Sequence, residues 1–293
     1  MSLIAILLSL FVESFWHGVE RWRRHRWFES YVAALLPRLE KWQVPEGPLL
    51  VLAVVVPLVF GVWLVTAMLG GLWSGFAYVF SVAVLIFCLG PQDLNRQVQQ
   101  YLEAVEREDE AEAKRLACEI LGYDCDEDDG PMQAAENLRE AILTQIVDRV
   151  LGVFFWFVIL GPVGAALFRS AHLLQQYTAE GTSTFARTAL QLYQIVFWLP
   201  ARLCVLAYAL AGNFVDSMSY WNSPADLWQR ESRDLLVVSG VGSLRQDMRY
   251  TAEKWLEEQD LSIGVSHALA LVKRTVIVWL VVLALLTLSG WLF

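Results

Sequence analysis

Two opposite charges sit inside apolar stretches of this chain: Glu13 in "FVESFW" and Arg202 in "WLPARLCVL". An arginine at mid-span costs about 2.5–3.5 kcal/mol on membrane-insertion scales, so such residues face a partner or a water-filled cavity. Arg202 is central in the apolar run 192–212, too deep to snorkel out easily. Pro200 lacks an N–H and frees a backbone carbonyl nearby, a further acceptor for the guanidinium. The expectation is that Glu13 and Arg202 meet as an ion pair inside a helical bundle, either as structural glue or as the charged wall of a pocket.

A second concentration of charge is "GYDCDEDDGP", Gly122 to Pro131. Calcium loops of the EF-hand type need glycine at position six and a bidentate glutamate at position twelve. Counted from Asp124, Asp126 and Asp128 fit, but position six is Asp129 and position twelve is Ala135. No metal is expected here. The run reads as a solvated turn whose acids favour the N-terminus of the following helix. The four histidines, His17, His25, His172 and His267, show no metal-ligand spacing. There is no Ser-His-Asp set, Walker loop or HExxH. "SGVGS", Ser239 to Ser243, reads as a loop, because a GxG without a preceding strand is a weak phosphate signal. Cys88 and Cys204 lie in apolar runs, and Cys118 and Cys125 lie between them; all four are expected as free thiols. No cofactor is implied.

The elements that must position these groups are membrane helices. The chain is 56% hydrophobic and only 18% charged, against about 25% charged for soluble domains. Five apolar runs, 49–69, 72–89, 150–168, 192–212 and 275–292, reach the roughly 17–25 residues a span needs. A shorter run, 2–16, lacks a signal-peptide cleavage site and reads as a membrane-dipping helix. The fold expected is therefore all-α: a polytopic membrane domain over 1–293 with about five full spans and helical cytoplasmic inserts at 90–149 and 213–274.

Basic residues set the orientation. Segments 17–48, 90–149 and 213–274 hold six, six and seven Lys and Arg, whereas 169–191 holds two, so the first three are placed in the cytoplasm and the last outside. Asp148, Arg149 and Arg169 then flank the third span, and His172 lies one turn beyond it. Within 90–149, "DEAE" at Asp109–Glu112 is a helix start and Gly122 a helix stop. Pro131 opens a third helix with Leu138, Ile142 and Ile146 on one face, running unbroken into the next span. Gly161-Pro162 and Gly164-Ala165 permit a kink and close helix packing.

Several stretches together carry a resemblance. "MSLIAILLSLFVESF", "LFRSAHLLQQY", "WLPARLCVLAYALAG" and "ALALVKRTVIVWLVVLALLTLSGWLF" resemble the AmpE family, bacterial inner-membrane proteins associated with β-lactamase regulation. That family is similar, more distantly, to the CobD/CbiB membrane proteins, which join an aminopropanol unit to adenosylcobyric acid in cobalamin synthesis with ATP and Mg²⁺. Against the pattern of those synthases, Asp124, Glu140 and Asp148 match acidic positions, and "PARL" with Arg202 is intact. Glu13 falls where the synthases have an Asp near the N-terminus. His172, Gln175, Tyr193 and Gln194 fall in segments where the synthases carry "NTLDS" and "RLDD". A neutral amide does not replace a carboxylate metal ligand.

The resemblance thus implies a non-enzymatic, multi-pass protein of the bacterial inner membrane, a sensor or partner-binding regulator linked to β-lactamase induction and muropeptide signalling. Its implied partners are membrane lipids, other inner-membrane proteins including a single-span helix, and a functional link to the muropeptide amidase AmpD, with no nucleic acid. The candidate residues are the pair Glu13 and Arg202, the cytoplasmic-side set Asp124, Glu140 and Asp148, and more weakly Arg169 and His172. The alternative is a membrane-bound Mg-ATP ligase of the cobinamide-phosphate-synthase type with altered or lost substrate.

Overall fold

The structure, a computed structural model, describes residues 4–9, 26–89, 94–122, 131–179, 181–214, 217, 230–244 and 261–289. Its helices are labelled α1 (Arg26–Lys41), α2 (Pro48–Leu72), α3 (Ser74–Cys88), α4 (Leu94–Glu106), α5 (Glu110–Leu121) and α6 (Pro131–Ile146). A π-helical turn, Val147–Leu151, joins α6 to α7 (Gly152–Leu160), and α8 (Pro162–Tyr177), α9 (Thr184–Ala211) and α10 (Leu261–Leu288) follow. Residues 4–9 and 232–244 are also helical. No strand occurs among the described residues.

Four helices, Pro48–Leu72, Gln133–Leu160, Thr184–Ala211 and Ser262–Leu288, are long and apolar enough to cross a bilayer, and Ser74–Cys88 is apolar but shorter. Large apolar side chains on their outer faces are exposed, among them Leu52, Phe60, Met68, Phe76, Val79, Ile277 and Leu285. A soluble monomer does not carry contiguous apolar surface on this scale. The chain is an all-α polytopic membrane protein.

Two compact units make up the fold. The first comprises Met1–Pro91, Asp148–Pro200 and Leu283–Phe293. Its α2 begins with Pro48 in the first turn, where the missing N–H has no cost, after Gly47 at φ +129°. Trp73, in extended conformation, ends α2 and starts α3 with one intervening residue, giving a tight hairpin. Phe28 and Val32 of α1, Val51 and Val54 of α2, Leu174 of α8, and Phe185 and Ala189 of α9 share one apolar core.

The expected helix over 150–168 is not one helix. α7 stops at Gly161, whose φ of +65° and ψ of −150° suit glycine alone, and Pro162 opens α8. The chain reverses there. A Cβ on Gly152 would lie 2.2 Å from Phe168 Cζ, and one on Gly164 would lie 2.1 Å from the Trp156 carbonyl oxygen. Contacts at 152–168 and 156–164, on either side of Gly161, describe an antiparallel helical hairpin rather than a kink. The physical reason is close packing: glycine at both crossings lets the two helices touch at the backbone.

This reversal corrects the orientation expected for 169–191. Leu174 at the end of α8 and Phe185 at the start of α9 pack with Leu50 and Val51 at the start of α2. The Gly47 Cα carries no side chain, and a Cβ there would lie 3.8 Å from Thr184 Cγ2. Within the first unit, the end of α8 and the start of α9 therefore lie at the same end as the start of α2, not at the opposite one.

The second unit comprises Gln92–Val147 and Ala201–Val282. Several local expectations hold in it. Asp109 Oδ1 accepts from the Glu112 N–H at 3.1 Å, and Gly122 ends α5 in the left-handed region at φ +80°. Leu138, Ile142 and Ile146 are buried on one face of α6. Gln145 Nε2 donates to the Ile120 carbonyl at 2.6 Å, an acceptor in the last turn of α5 that has no partner in its own helix. On the outer face of α5, Arg115 bonds Glu112 and Glu119, and its bond to Glu112 holds that carboxyl below its ordinary range. These groups are solvated, and such pairs add little to stability.

Two expectations fail here. "SGVGS" is not a loop but part of the helix over 232–244, with Ser239 and Ser243 buried. A Cβ on Gly240 would sit 2.8 Å from Leu143 Cδ1, so its role is close packing. Cys118 is bonded in a disulfide, against expectation, whereas Cys88 and Cys204 are buried thiols outside any disulfide.

Two outcomes check this fold. Gly164→Ala drives a methyl into the Trp156 carbonyl and should destabilise the protein by about 1–3 kcal/mol in thermal unfolding, the scale of overpacking. Gly61→Ala, with open space around its Cα, should not. Cysteines introduced at the exposed positions Glu46 and Thr182 should both react with a membrane-impermeant thiol reagent supplied from one and the same side of sealed vesicles.

Candidate functional site: a buried acid, imidazole and phenol

The hairpin and α9 bring three polar side chains together in the first unit. Asp148 lies on the π turn that joins α6 to α7. Such wide turns inserted in α-helices occur frequently at functional sites. Its antiparallel partner across the hairpin is His172 on α8, in line with Phe168 and Gly164 on the face turned toward α7. Tyr193 of α9 closes the group. Asp148, His172 and Tyr193 are 4%, 6% and 2% exposed, so the carboxyl has almost no water to solvate it.

A buried carboxyl must find its stabilisation in the protein. The Tyr193 hydroxyl donates a hydrogen bond to Asp148 Oδ1. His172 Nδ1 lies 3.5 Å from the same oxygen. That is ion-pair distance, but the geometry falls outside a formed hydrogen bond, and His172 Nδ1 makes none in this conformation. The His172 and Tyr193 rings meet at 5.6 Å between centroids, and Tyr193 stacks obliquely on Phe197 at 5.1 Å. One acid, one imidazole and one phenol around a single oxygen can hold and pass a proton, the work of a general acid–base group.

A second bond fixes α9 against α7. Pro200 has no N–H, so the carbonyl four residues earlier, that of Val196, loses its helical donor. The Trp156 indole N–H donates to that carbonyl at 2.8 Å. The expected use of this acceptor by Arg202 is corrected accordingly. In the second unit Arg202, 4% exposed, donates to Ser232 Oγ and, at 2.9 Å, to the Arg230 carbonyl.

The remaining sequence candidates fall as follows. Glu13 and Asp124 lie outside the described residues, so the pairing of Glu13 with Arg202 has no geometry here. Glu140 is exposed on α6. Arg169 is buried on α8 one turn before His172 and lines a cavity together with Ser170 and Leu173. Asp148 and His172, placed in separate sets by sequence, are brought together. Tyr193 and Trp156 escaped sequence reasoning. Tyr193 counted there only as a missing carboxylate. For Trp156 the one signal was Pro200, which demands a donor at Val196 without saying which.

The Mg²⁺ that the synthase resemblance implies requires a near-octahedral set of oxygens, usually one or two protein carboxylates with substrate phosphates. Among the described residues no three His, Cys, Asp or Glu converge. Asp148 brings one carboxylate, already engaged by Tyr193, beside an imidazole and a phenol. These donors do not fit a protein-held Mg²⁺, and no step is derived through one.

The family model described as CobD/Cbib protein matches residues 3–236. The cobalamin biosynthesis protein CobD of Stutzerimonas stutzeri (strain A1501) is 26% identical over 254 residues, 82% of this chain and 80% of that protein. The protein of the same name from Chromobacterium violaceum is 27% identical over 218 residues, 69% of this chain and 68% of that protein. No solved structure matches. The AmpE resemblance, and with it the link to β-lactamase control, finds no support in these matches. The shared model runs from near the N-terminus through both halves of the α7–α8 hairpin and all of α9, and the chain belongs to the CobD/CbiB family.

Proposed function

We propose that this chain is a membrane-bound amide-forming ligase of the cobinamide-phosphate-synthase type, with an altered substrate, in the bacterial inner membrane. The observation that carries the reading is Asp148: it matches an acidic position of the synthase pattern and is buried in contact with a phenol and an imidazole. Two relatives named for cobalamin biosynthesis support the reaction class.

With ATP as co-substrate the substrate acid would be activated as an acyl phosphate. The amine nitrogen attacks its carbonyl carbon, the C–O bond to phosphate breaks, phosphate leaves, and the nitrogen loses a proton. Asp148 accepts it, Tyr193 holds the carboxylate oriented through its hydroxyl, and His172 stands 3.5 Å away to take the proton onward. The altered substrate follows from the replaced side chains. Tyr193 and Gln194 stand where the resemblance has paired acids, which leaves fewer negative charges for a metal-bound polyphosphate and more room for neutral hydrogen-bonding groups.

The test uses purified full-length protein in nanodiscs, supplied with ATP, Mg²⁺, a corrinoid acid and a panel of short amino alcohols and their phosphates. Amide product is read by mass spectrometry. Wild-type protein should form product with at least one pair. Asp148→Asn should lower kcat/KM by about 10²-fold or more, the range for removal of a general acid–base group. Tyr193→Phe should cost less, since the carboxylate stays in place. A well-folded wild-type protein that forms no amide with any pair would end this reading.

A further inference from the structure

In the first unit α9 meets the hairpin along one face. Tyr193, Val196, Phe197 and Pro200 recur at helical spacing and are buried, whereas Gln194, Ile195 and Leu199 between them are exposed. Two hydrogen bonds join this stretch to α7 and its π turn. The Tyr193 hydroxyl donates to Asp148, and the Trp156 indole N–H donates to the Val196 carbonyl at 2.8 Å. On the hairpin side the two bonds begin about two helical turns apart, at Asp148 and Trp156.

The bond to Asp148 is sensitive to how α9 is turned. A phenol oxygen lies at or beyond a helix's outer radius of roughly 5–6 Å, so a rotation of about 10° moves it by about 1 Å. An O–H···O bond tolerates less, since its heavy atoms stay within about 2.5–3.0 Å. The ring contacts of Tyr193 with His172 and Phe197, at 5.6 and 5.1 Å between centroids, are oblique packing and far less directional. One bond lets a helix pivot about it. A second bond, displaced along the axis, removes that freedom.

The Trp156 bond suits this task. Its acceptor is a backbone carbonyl, so it moves only if α9 itself moves. Pro200 keeps that acceptor available, because the residue four along the helix has no N–H to compete for it. Its donor is a rigid ring with two side-chain torsions, packed edge-on against Phe155 at 5.4 Å.

We propose that Trp156 is a positioning residue of the acid–base group: its bond to the Val196 carbonyl fixes how α9 is turned against α7 and so keeps the Tyr193 hydroxyl on Asp148. The catalytic consequence rests on the ligase reading above; the placement of the hydroxyl does not. Misplacing a catalytic group by about 1 Å can cost as much as 10²-fold in rate, so a residue outside the cluster can govern it.

The test reads the phenol directly. Full-length protein in nanodiscs carries tyrosine labelled with ¹³C at the ring carbon that bears the hydroxyl, whose NMR shift reports that group's hydrogen bond. Of the nine tyrosines, Tyr193 is the signal absent from Tyr193→Phe, and Asp148→Ala marks its position without the bond. Trp156→Phe keeps an aromatic ring and loses the N–H, and it should move the Tyr193 signal most of the way to the Asp148→Ala position. Adding Pro200→Ala supplies the Val196 carbonyl with a helical donor. The double variant should still show the displaced signal, because satisfying the carbonyl does not orient α9, and it carries the test if the single variant does not fold. Pro200→Ala alone should leave the signal in place. In the amide-forming assay Trp156→Phe should lower kcat several-fold with KM little changed, and should add nothing in a Tyr193→Phe protein, since residues that act through one contact are not additive. A Tyr193 signal unmoved by Trp156→Phe, restored in the double variant, or displaced by Pro200→Ala alone would overturn the proposal, as would losses that multiply in the Trp156→Phe, Tyr193→Phe protein. Wild-type protein that forms no amide would end the ligase reading, and the NMR shifts would still decide the role of Trp156.

Discussion

The first unit depends on one close approach: Gly152 against the Phe168 ring and Gly164 against the Trp156 carbonyl, with the chain reversed at Gly161. Without that contact α7 and α8 would continue as a single span, and Asp148 and His172 would lie far apart along it. With it they lie 3.5 Å apart. The reversal also returns the end of α8 to the end of the unit where α2 starts, which decides where α9 begins. A backbone permission held by two small residues and one left-handed glycine thus sets both the topology of the unit and the chemistry of its buried site.

Hydrogen-bond satisfaction then ties α9 to the hairpin. In a low-dielectric setting a carbonyl without a donor is expensive, so a proline inside a helix creates a demand that some neighbour must meet. Trp156 meets it at Val196, and Tyr193, one turn earlier, meets the matching demand of Asp148. The same logic accounts for Arg202, whose guanidinium is taken up by Ser232 and the Arg230 carbonyl. The Val196 carbonyl, Asp148 and Arg202 are each met by a group remote in sequence, and these bonds tie their helices together in one register.

Much of the local structure was legible beforehand. Asp109 and Gly122 bound α5 as their residue types require, Pro131 opens α6, and the stripe Leu138, Ile142 and Ile146 is buried. The membrane class followed from composition and survives as four long apolar helices with exposed outer faces. The site was legible only in pieces. Asp148, Arg169 and His172 were visible as polar residues bordering an apolar run, but a one-dimensional reading gave them interface positions, because distance along a helix was the only measure available. Tyr193 was weighed by what it replaced instead of by what it could bond.

Hydropathy, capping residues and glycine positions are local or periodic properties, so the sequence by itself determined that this is a helical membrane protein, where most of its helices start, and which positions allow close packing. It left open how far the bend at Gly161 goes, since the same Gly-Pro pair serves a kink or a full reversal, and only the packing partners on both arms choose between them. Which donor reaches the Val196 carbonyl, which base faces Asp148, and which walls enclose Arg169 are contacts between residues far apart in the chain. Tertiary structure alone decided these, because the free energy of a buried polar group is set by the neighbours that folding brings to it.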